Sequence, residues 1–285
     1  MPRIAITIDV EPDFPPELGD CYQGIEEILP KLLDLLQYEN LPATIFLLDE
    51  LCKPFPSLAK EIAERGFHLG NHGLHHILLC LEDERTKGRF LSESTRILES
   101  ASGGRITAFR APNFSIDARS LQLLERLGYG LDSSILPGRR MHRHLSGTVY
   151  DFRGAPRIPY HPSIDDINRS GSSHVLEVPV TENPLYRQSP IGAGFLNIRG
   201  PAETLKAIGM TGLPFNVLVI HHWEFVDLWS RHTRLQSWIK RGCRPNLPAL
   251  SELIGGLKNQ GYDFLDIQSL AQEQADIPIM PVEAQ

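Results

Sequence analysis

The sequence predicts an α/β fold, one domain arranged as a distorted, closed or nearly closed (β/α) barrel of seven or eight strands. Three observations predict it. Short, β-prone apolar runs alternate with stretches of helical spacing along most of the chain, as parallel βαβ units require. No linker or internal repeat divides the chain. Its 285 residues and 32.0 kDa suit one large α/β domain. We expect that domain to span residues 1–274, with 275–285 a flexible tail.

The elements follow in order. Ile4, Ile6 and Ile8 alternate with Ala5 and Thr7, so the chain opens on a buried strand ending at Asp9. Val10 to Pro16 form a rigid acidic loop. Helical spacing begins at Ile25, with Pro30 set to bend or delay the helix. Residues 43–48 are a continuous apolar run, the signature of a buried parallel strand. A helix over 57–65 stops at Gly66, and a short strand covers 67–70. An amphipathic helix over about 82–100 closes at Gly103-Gly104. A strand at 107–110 and a helix over 120–127, stopped by Gly128, come next. Residues 138–174 read as loop with weak strands. Strands are expected at 175–180 and 215–220, and a last helix over 250–259 leads into Tyr262-Asp263-Phe264-Leu265.

Composition removes several classes. Hydrophobic residues are 41% and charged residues 22%, which excludes a disordered chain. Glycine (23) and proline (22) are neither periodic nor clustered. The net charge is −7 and the pI 5.9. No nucleic-acid partner is expected, because the only basic run, Arg139 to His144, reads as a solvated or substrate-facing loop. The four cysteines share no CxxC spacing, so reduced thiols and no cysteine zinc cluster are expected. No run approaches a membrane span, and Met1 to Asp9 lack signal-peptide features. A cytoplasmic protein is the expectation.

In a barrel of this kind the chemistry sits after the strand C-termini. The first strand ends in Asp9, with Glu11 two residues on. The third leads into Asn71-His72-Gly73-Leu74-His75-His76. The strand near 107 ends in Arg110-Ala111-Pro112, the next turn is Leu131-Asp132-Ser133-Ser134, and the strand at 215–220 ends in His221-His222-Trp223-Glu224. His72 and His76 have the spacing that sets two imidazole nitrogens on one side of a turn. Two histidines and a carboxylate suit zinc, and they leave metal positions open, the pattern of a catalytic site. No Gly-x-Ser-x-Gly elbow, phosphate-cradling loop or GxGxxG is present.

Thr7-Ile8-Asp9-Val10-Glu11, Asn71 to His76, Phe109-Arg110-Ala111-Pro112, Tyr129 to Ser134 and Leu218 to His221 stand in the order of five motifs. This order resembles the polysaccharide deacetylases, carbohydrate esterase family four, from Ile4 to about Leu265. Asp-Val-Glu, Glu177-Val178-Pro179-Val180 and His221 to Glu224 look most like its bacterial exopolysaccharide branch. The resemblance implies a deacetylase-type barrel, with Asp9 as catalytic base and His72 and His76 as metal ligands. Arg110 would hold and tune the base, and His221 would be the acid. Asp132 would line the groove and support that histidine.

One departure lies in the first motif. The family commonly has two adjacent aspartates, and here Val10 takes the second place. Glu11 is expected as third ligand, with Asp13 or Asp9 as alternatives. His222 is the alternative acid. Pro112, Asn113, Trp223 and Glu224 are expected to touch substrate, and Trp223, Trp229 and Trp238 are candidates for a sugar-stacking platform.

The expected cofactor is one divalent metal, zinc first, with cobalt, manganese, nickel or iron as substitutes. The expected reaction is hydrolysis of the N-acetyl amide of a sugar in a polysaccharide or its lipid-linked precursor. Deformylation or another C–N hydrolysis is the alternative within the same chemistry. A non-hydrolytic carbohydrate-binding relative is the alternative of another class.

Overall fold

A computed structural model describes residues 1–14, 18, 21–144, 147–227 and 241–275. The expected tail from 276 onwards, Pro15 and Pro16 of the acidic loop, and Trp229 and Trp238 lie outside the described residues.

The sheet is organised around β1 (Arg3–Val10), buried at every residue after Arg3. One edge of β1 pairs with β9 (Phe215–His221) from Arg3 to Asp9. The other edge pairs with β2 (Ala43–Leu47) from Ile6 to Val10. The sheet continues through β3 (His68–Asn71), β4 (Ala108–Phe109), β5 (Leu131–Asp132) and β8 (Leu176–Glu177). A further strand, β10 (Asp263–Phe264), lies beside the start of β1. Every pairing in this sheet is parallel. The sheet curls into a half-barrel. The gap between β8 and β9 is bridged where Ile191 N–H bonds Thr181 O and Val219 N–H bonds Ile191 O.

Helices return the chain between strands. A wider π-helical turn (Gly24–Ile28) runs directly into α1 (Leu29–Tyr38), with Pro30 in the first turn of α1. The helix α2 (Leu58–Glu64) is followed by Gly66 at φ +86°. Asp83 caps α3 (Glu84–Ser102) by accepting from Thr86 N–H, and Gly103 ends it at φ +74°. Asp117 caps α4 (Ala118–Arg126) through Ser120 N–H. The last helices are α6 (Leu247–Asn259) and α7 (Ile267–Ala275).

Three local features differ from expectation. α5 (Ala193–Met210) has no clear helical pattern in the sequence, because its backbone breaks at Gly200 (φ +82°) and resumes at Pro201. The strand expected over 175–180 shortens to two residues, because its regular pairing ends where Val178 N–H bonds Asp132 O but Val180 N–H skips to Ile135 O. The 138–174 region carries an antiparallel hairpin, β6 (Arg140–Arg143) and β7 (Gly147–Asp151), so part of the basic run is a strand. Among the described residues, no helix is long and apolar enough to cross a membrane.

Asp266 joins the end of the chain to β3. It accepts from Ser269 N–H (2.8 Å) at the start of α7, and its Oδ1 lies 2.9 Å from His68 Nδ1. The Asp266 hydrogen bond raises the His68 pKa above the ordinary imidazole value. Burial pushes the Asp266 carboxyl up, but the bonds from His68 and Ser269 win and bring it to about 2. The imidazole therefore stabilises the fold fully below about pH 6.5 and loses that contribution as pH rises through its raised pKa. The carboxylate contributes above about pH 4 and loses its share as pH falls towards 2. The pair works best between those limits. His68 is half exposed, so solvent screening keeps the pair within about 1 kcal/mol. NMR titration should find the His68 pKa raised, and Asp266→Asn should return it to about 6.5. A His68 pKa that ignores the substitution would contradict this pairing.

Candidate active site

The strand ends converge at the C-terminal mouth of the half-barrel. Along β1, Thr7 and Asp9 share one face, since side chains alternate with period two. Arg110, one residue past β4, reaches both with the same nitrogen. Its Nη1 donates to Thr7 Oγ1 and to Asp9 Oδ1, each at 2.8 Å. Its Nε donates to Ser133 O and its Nη2 to Ser133 Oγ, both at 2.9 Å. The guanidinium carbon sits 4.3 Å from the centroid of the Phe46 ring. Arg110 is fully buried and Asp9 is 2% exposed.

Alternation also explains the unusual first motif. Val10 turns away and Glu11 returns to the side of Asp9. His221 Nε2 lies 3.7 Å from Asp9 Oδ2 and 3.8 Å from Glu11 Oε1, which places both acids at one site. Glu11 Oε1 accepts from Trp223 Nε1–H at 2.9 Å. Its Oε2 is approached by His76 Nε2 at 2.8 Å and His72 Nε2 at 3.3 Å, with no aligned donor. One ligand atom from each of Glu11, His72 and His76 lies within 4.8 Å of the others.

The two histidines do not stand on a helix. They follow β3 in a loop that uses left-handed backbone at Gly73 (φ +88°), His75 (φ +54°) and His76 (φ +48°). The loop is clamped by Asn71, whose Oδ1 accepts from Gly73 N–H and whose Nδ2 donates to Ser94 Oγ and Tyr129 OH. His72 Nδ1 lies 2.9 Å from the Arg110 carbonyl. The Nδ1–H tautomer satisfies that bond and leaves the Nε2 lone pair for a metal. An imidazole pair, a carboxylate oxygen without a donor and a fixed tautomer fit a zinc-like divalent ion.

His221 is held by Glu224. The Glu224 Oε2 accepts from the His221 backbone N–H at 2.8 Å and lies 3.4 Å from its Nδ1. Burial opposes a charge on His221, but Glu224, then Glu11 and Asp9, prevail and raise its pKa to about 9. The alternatives fall elsewhere. His222 is fully buried, and desolvation lowers its pKa to about 4, so it is neutral at pH 7. Asp13 spends both oxygens on Gly24 N–H, at 3.0 and 3.1 Å.

Several expected roles change. Asp132 neither lines a groove nor supports His221. It is 1% exposed, accepts from Ser134 Oγ at 2.5 Å, and pairs with Glu177. The support of the histidine comes from Glu224, which is local in sequence. Trp223 is 9% exposed and secures Glu11, with Phe14 edge-on at 5.1 Å, so it is no open stacking platform. Pro112 is buried, in a position where a Cβ on Gly73 would come within 3.3 Å of its ring. Asn113 is exposed at the rim with φ +52°, and its carbonyl accepts from Tyr150 OH. A cleft of about 890 Å³ opens beside His221, Trp223 and Glu224 and extends past Phe195, Ile198 and Arg241. That volume suits a ligand site.

Known proteins resemble this chain at the same places. Residues 2–131 match the polysaccharide deacetylase family model. A peptidoglycan-N-acetylglucosamine deacetylase from Bacillus cereus is 32% identical over 110 residues, 39% of this chain and 36% of that protein. The chain thus spans about a third of that curated relative. A crystal structure from Mycobacterium smegmatis, described as a candidate polysaccharide deacetylase, superposes with a TM-score of 0.70 at 18% identity, covering 99% of this chain and 93% of the other. A family 4 carbohydrate esterase pseudoenzyme from Bacillus anthracis gives a TM-score of 0.56 at 15% identity, over 94% of this chain and 65% of the other. At these identities the two structures establish the fold. The stretch 2–131, which carries Asp9, Glu11, His72, His76 and Arg110, is thus similar to the polysaccharide deacetylase family.

Proposed function

We propose that the protein is a metal-dependent deacetylase that hydrolyses the N-acetyl amide of a sugar in a polysaccharide or its lipid-linked precursor. The observation that carries the reading is the Glu11–His72–His76 cluster set against an arginine-held Asp9 and a glutamate-held His221. The exopolysaccharide-like motifs at Glu177 and His221 favour a glycan of that kind as substrate.

Glu11, His72 and His76 would hold the metal, with zinc the ion this donor set suits best. When bound, it would polarise the amide carbonyl and make water a usable nucleophile. Asp9 Oδ1 is committed to Arg110, so Oδ2 is the atom that accepts the proton of the attacking water. The guanidinium holds the Asp9 carboxylate in place through Oδ1. His221 Nε2, on the same side, delivers a proton to the departing amine nitrogen. Glu224 accepts from the His221 backbone N–H and stands 3.4 Å from its Nδ1. Trp223 fixes the carboxylate of Glu11, and the cleft beside them receives the sugar.

His72→Ala should lose both bound zinc, read by elemental analysis, and acetate release from an N-acetylated oligosaccharide. Glu11→Ala should do the same, whereas Asp13→Ala should keep its zinc. A zinc-replete His72→Ala protein would refute the site. A zinc-replete parent that releases formate instead would move the substrate. One that binds the oligosaccharide without cleaving it would make it a carbohydrate-binding relative.

Asp9→Asn preserves shape but cannot take a proton. It should keep the metal of the parent and lose about 10²- to 10⁴-fold in rate. Loss of the metal instead would make Asp9 chiefly a ligand.

A further inference from the structure

Asp132 and Glu177 are lateral neighbours across β5 and β8, so their side chains project to the same side of the sheet. Both are buried, at 1% and 0% exposure. Few donors serve them. Ser134 Oγ–H serves Asp132 Oδ1, and Ile135 N–H serves Glu177 Oε1 at 3.0 Å. Glu177 Oε2 has no donor at all. The nearby cation does not fill the gap, because the hydrogen bonds of Arg110 go to Thr7, Asp9 and Ser133. Two buried carboxylates side by side, short of donors, retain a proton between them.

The same pair governs the shelf on which Arg110 rests. Ser134 donates to Asp132 and accepts from Ala111 N–H, one residue after Arg110. Ile135 N–H is anchored by Glu177. Between them, Ser133 offers Arg110 its carbonyl and its hydroxyl, and that hydroxyl donates to Val178 O beside Glu177. Each contact from Glu177 to Asp9 is therefore a direct hydrogen bond or a step along one turn of backbone.

We propose that Glu177 is a positioning residue, a carboxylic acid that donates to Asp132 and so fixes the Ser133–Ser134 shelf that aims Arg110 and, through it, Asp9. The role rests on the deacetylase reading above. Burial, with the charge of Asp132 behind it, pushes the Glu177 pKa well above the ordinary carboxyl value. Arg110 and the buried Tyr160 phenol are the other ionisable groups facing the pair.

The test uses the metal-loaded parent with Glu177→Gln and Glu177→Leu. The Gln amide can donate to Asp132 as the acid does. It should retain most of kcat, while its infrared difference spectrum against the parent shows the loss of one protonated-carboxyl carbonyl band. The Leu side chain fills the space but donates nothing. It should bind zinc like the parent, keep its KM, and lose about 10²-fold in kcat through misaimed catalytic groups. A Gln variant as damaged as the Leu variant would overturn the proposal, as would a Leu variant as active as the parent. Absence of the carboxyl band in the parent spectrum would overturn it even if the Leu variant failed to fold. A zinc-loaded parent that releases no acetate would instead overturn the deacetylase reading, a failure the infrared band does not share.

Discussion

Among the described residues, Arg110 is the largest side chain that the interior encloses completely, and it is a guanidinium cation. Burying an ion costs several kcal/mol unless its hydrogen bonds and its countercharge are supplied together. Here Thr7, Asp9 and Ser133 supply them from two strand ends. Removing a partner would leave an uncompensated charge at a cost of about 3–5 kcal/mol. The registers of β1, β4 and β5 are thus tied to one guanidinium. Its backbone carbonyl extends the same control to His72. One residue fixes the proposed base through its side chain and a candidate ligand through its main chain.

The period of the strand does the next part of the work. Asp9 and Glu11 stand two apart, so one face receives both acids, and Val10 between them closes the core. Equal chemistry at adjacent positions would need the chain to leave strand geometry sooner. The longer glutamate side chain meets the histidines from the strand end, and Trp223 prevents it from swinging.

Much of this was legible in the sequence. The apolar runs of β1, β2 and β9 announce buried parallel strands, and polar residues at their ends announce a mouth. The chemistry of Asp9, Arg110, His72 and His221 follows from residue types at strand ends, and all four converge. What was not legible depends on contacts distant in sequence. The pairing of Glu177 with Asp132 needs the β5–β8 register, and the Trp223 bond to Glu11 joins residues 212 positions apart. The spacing of His72 and His76 suggested one side of a turn, but the loop meets it with left-handed residues that no spacing rule encodes. α5 hid behind its own glycine and proline. Glu224 was visible three residues from His221, and a reading of helix-capping patterns would have paired them.

That capping arrangement has a consequence for turnover. One carboxylate accepts from the backbone N–H of His221 and stands 3.4 Å from its ring, while the Trp223 ring lies 4.7 Å from the imidazole centroid. Between them the imidazole presents Nε2 towards Asp9 and Glu11. In the proposed reaction an amide would bring its leaving nitrogen to that Nε2, and the walls of the cleft would decide which face of the sugar is presented. Discrimination between glycans would then belong to the approach trajectory, and it could evolve in the surrounding loops without disturbing the reactive groups.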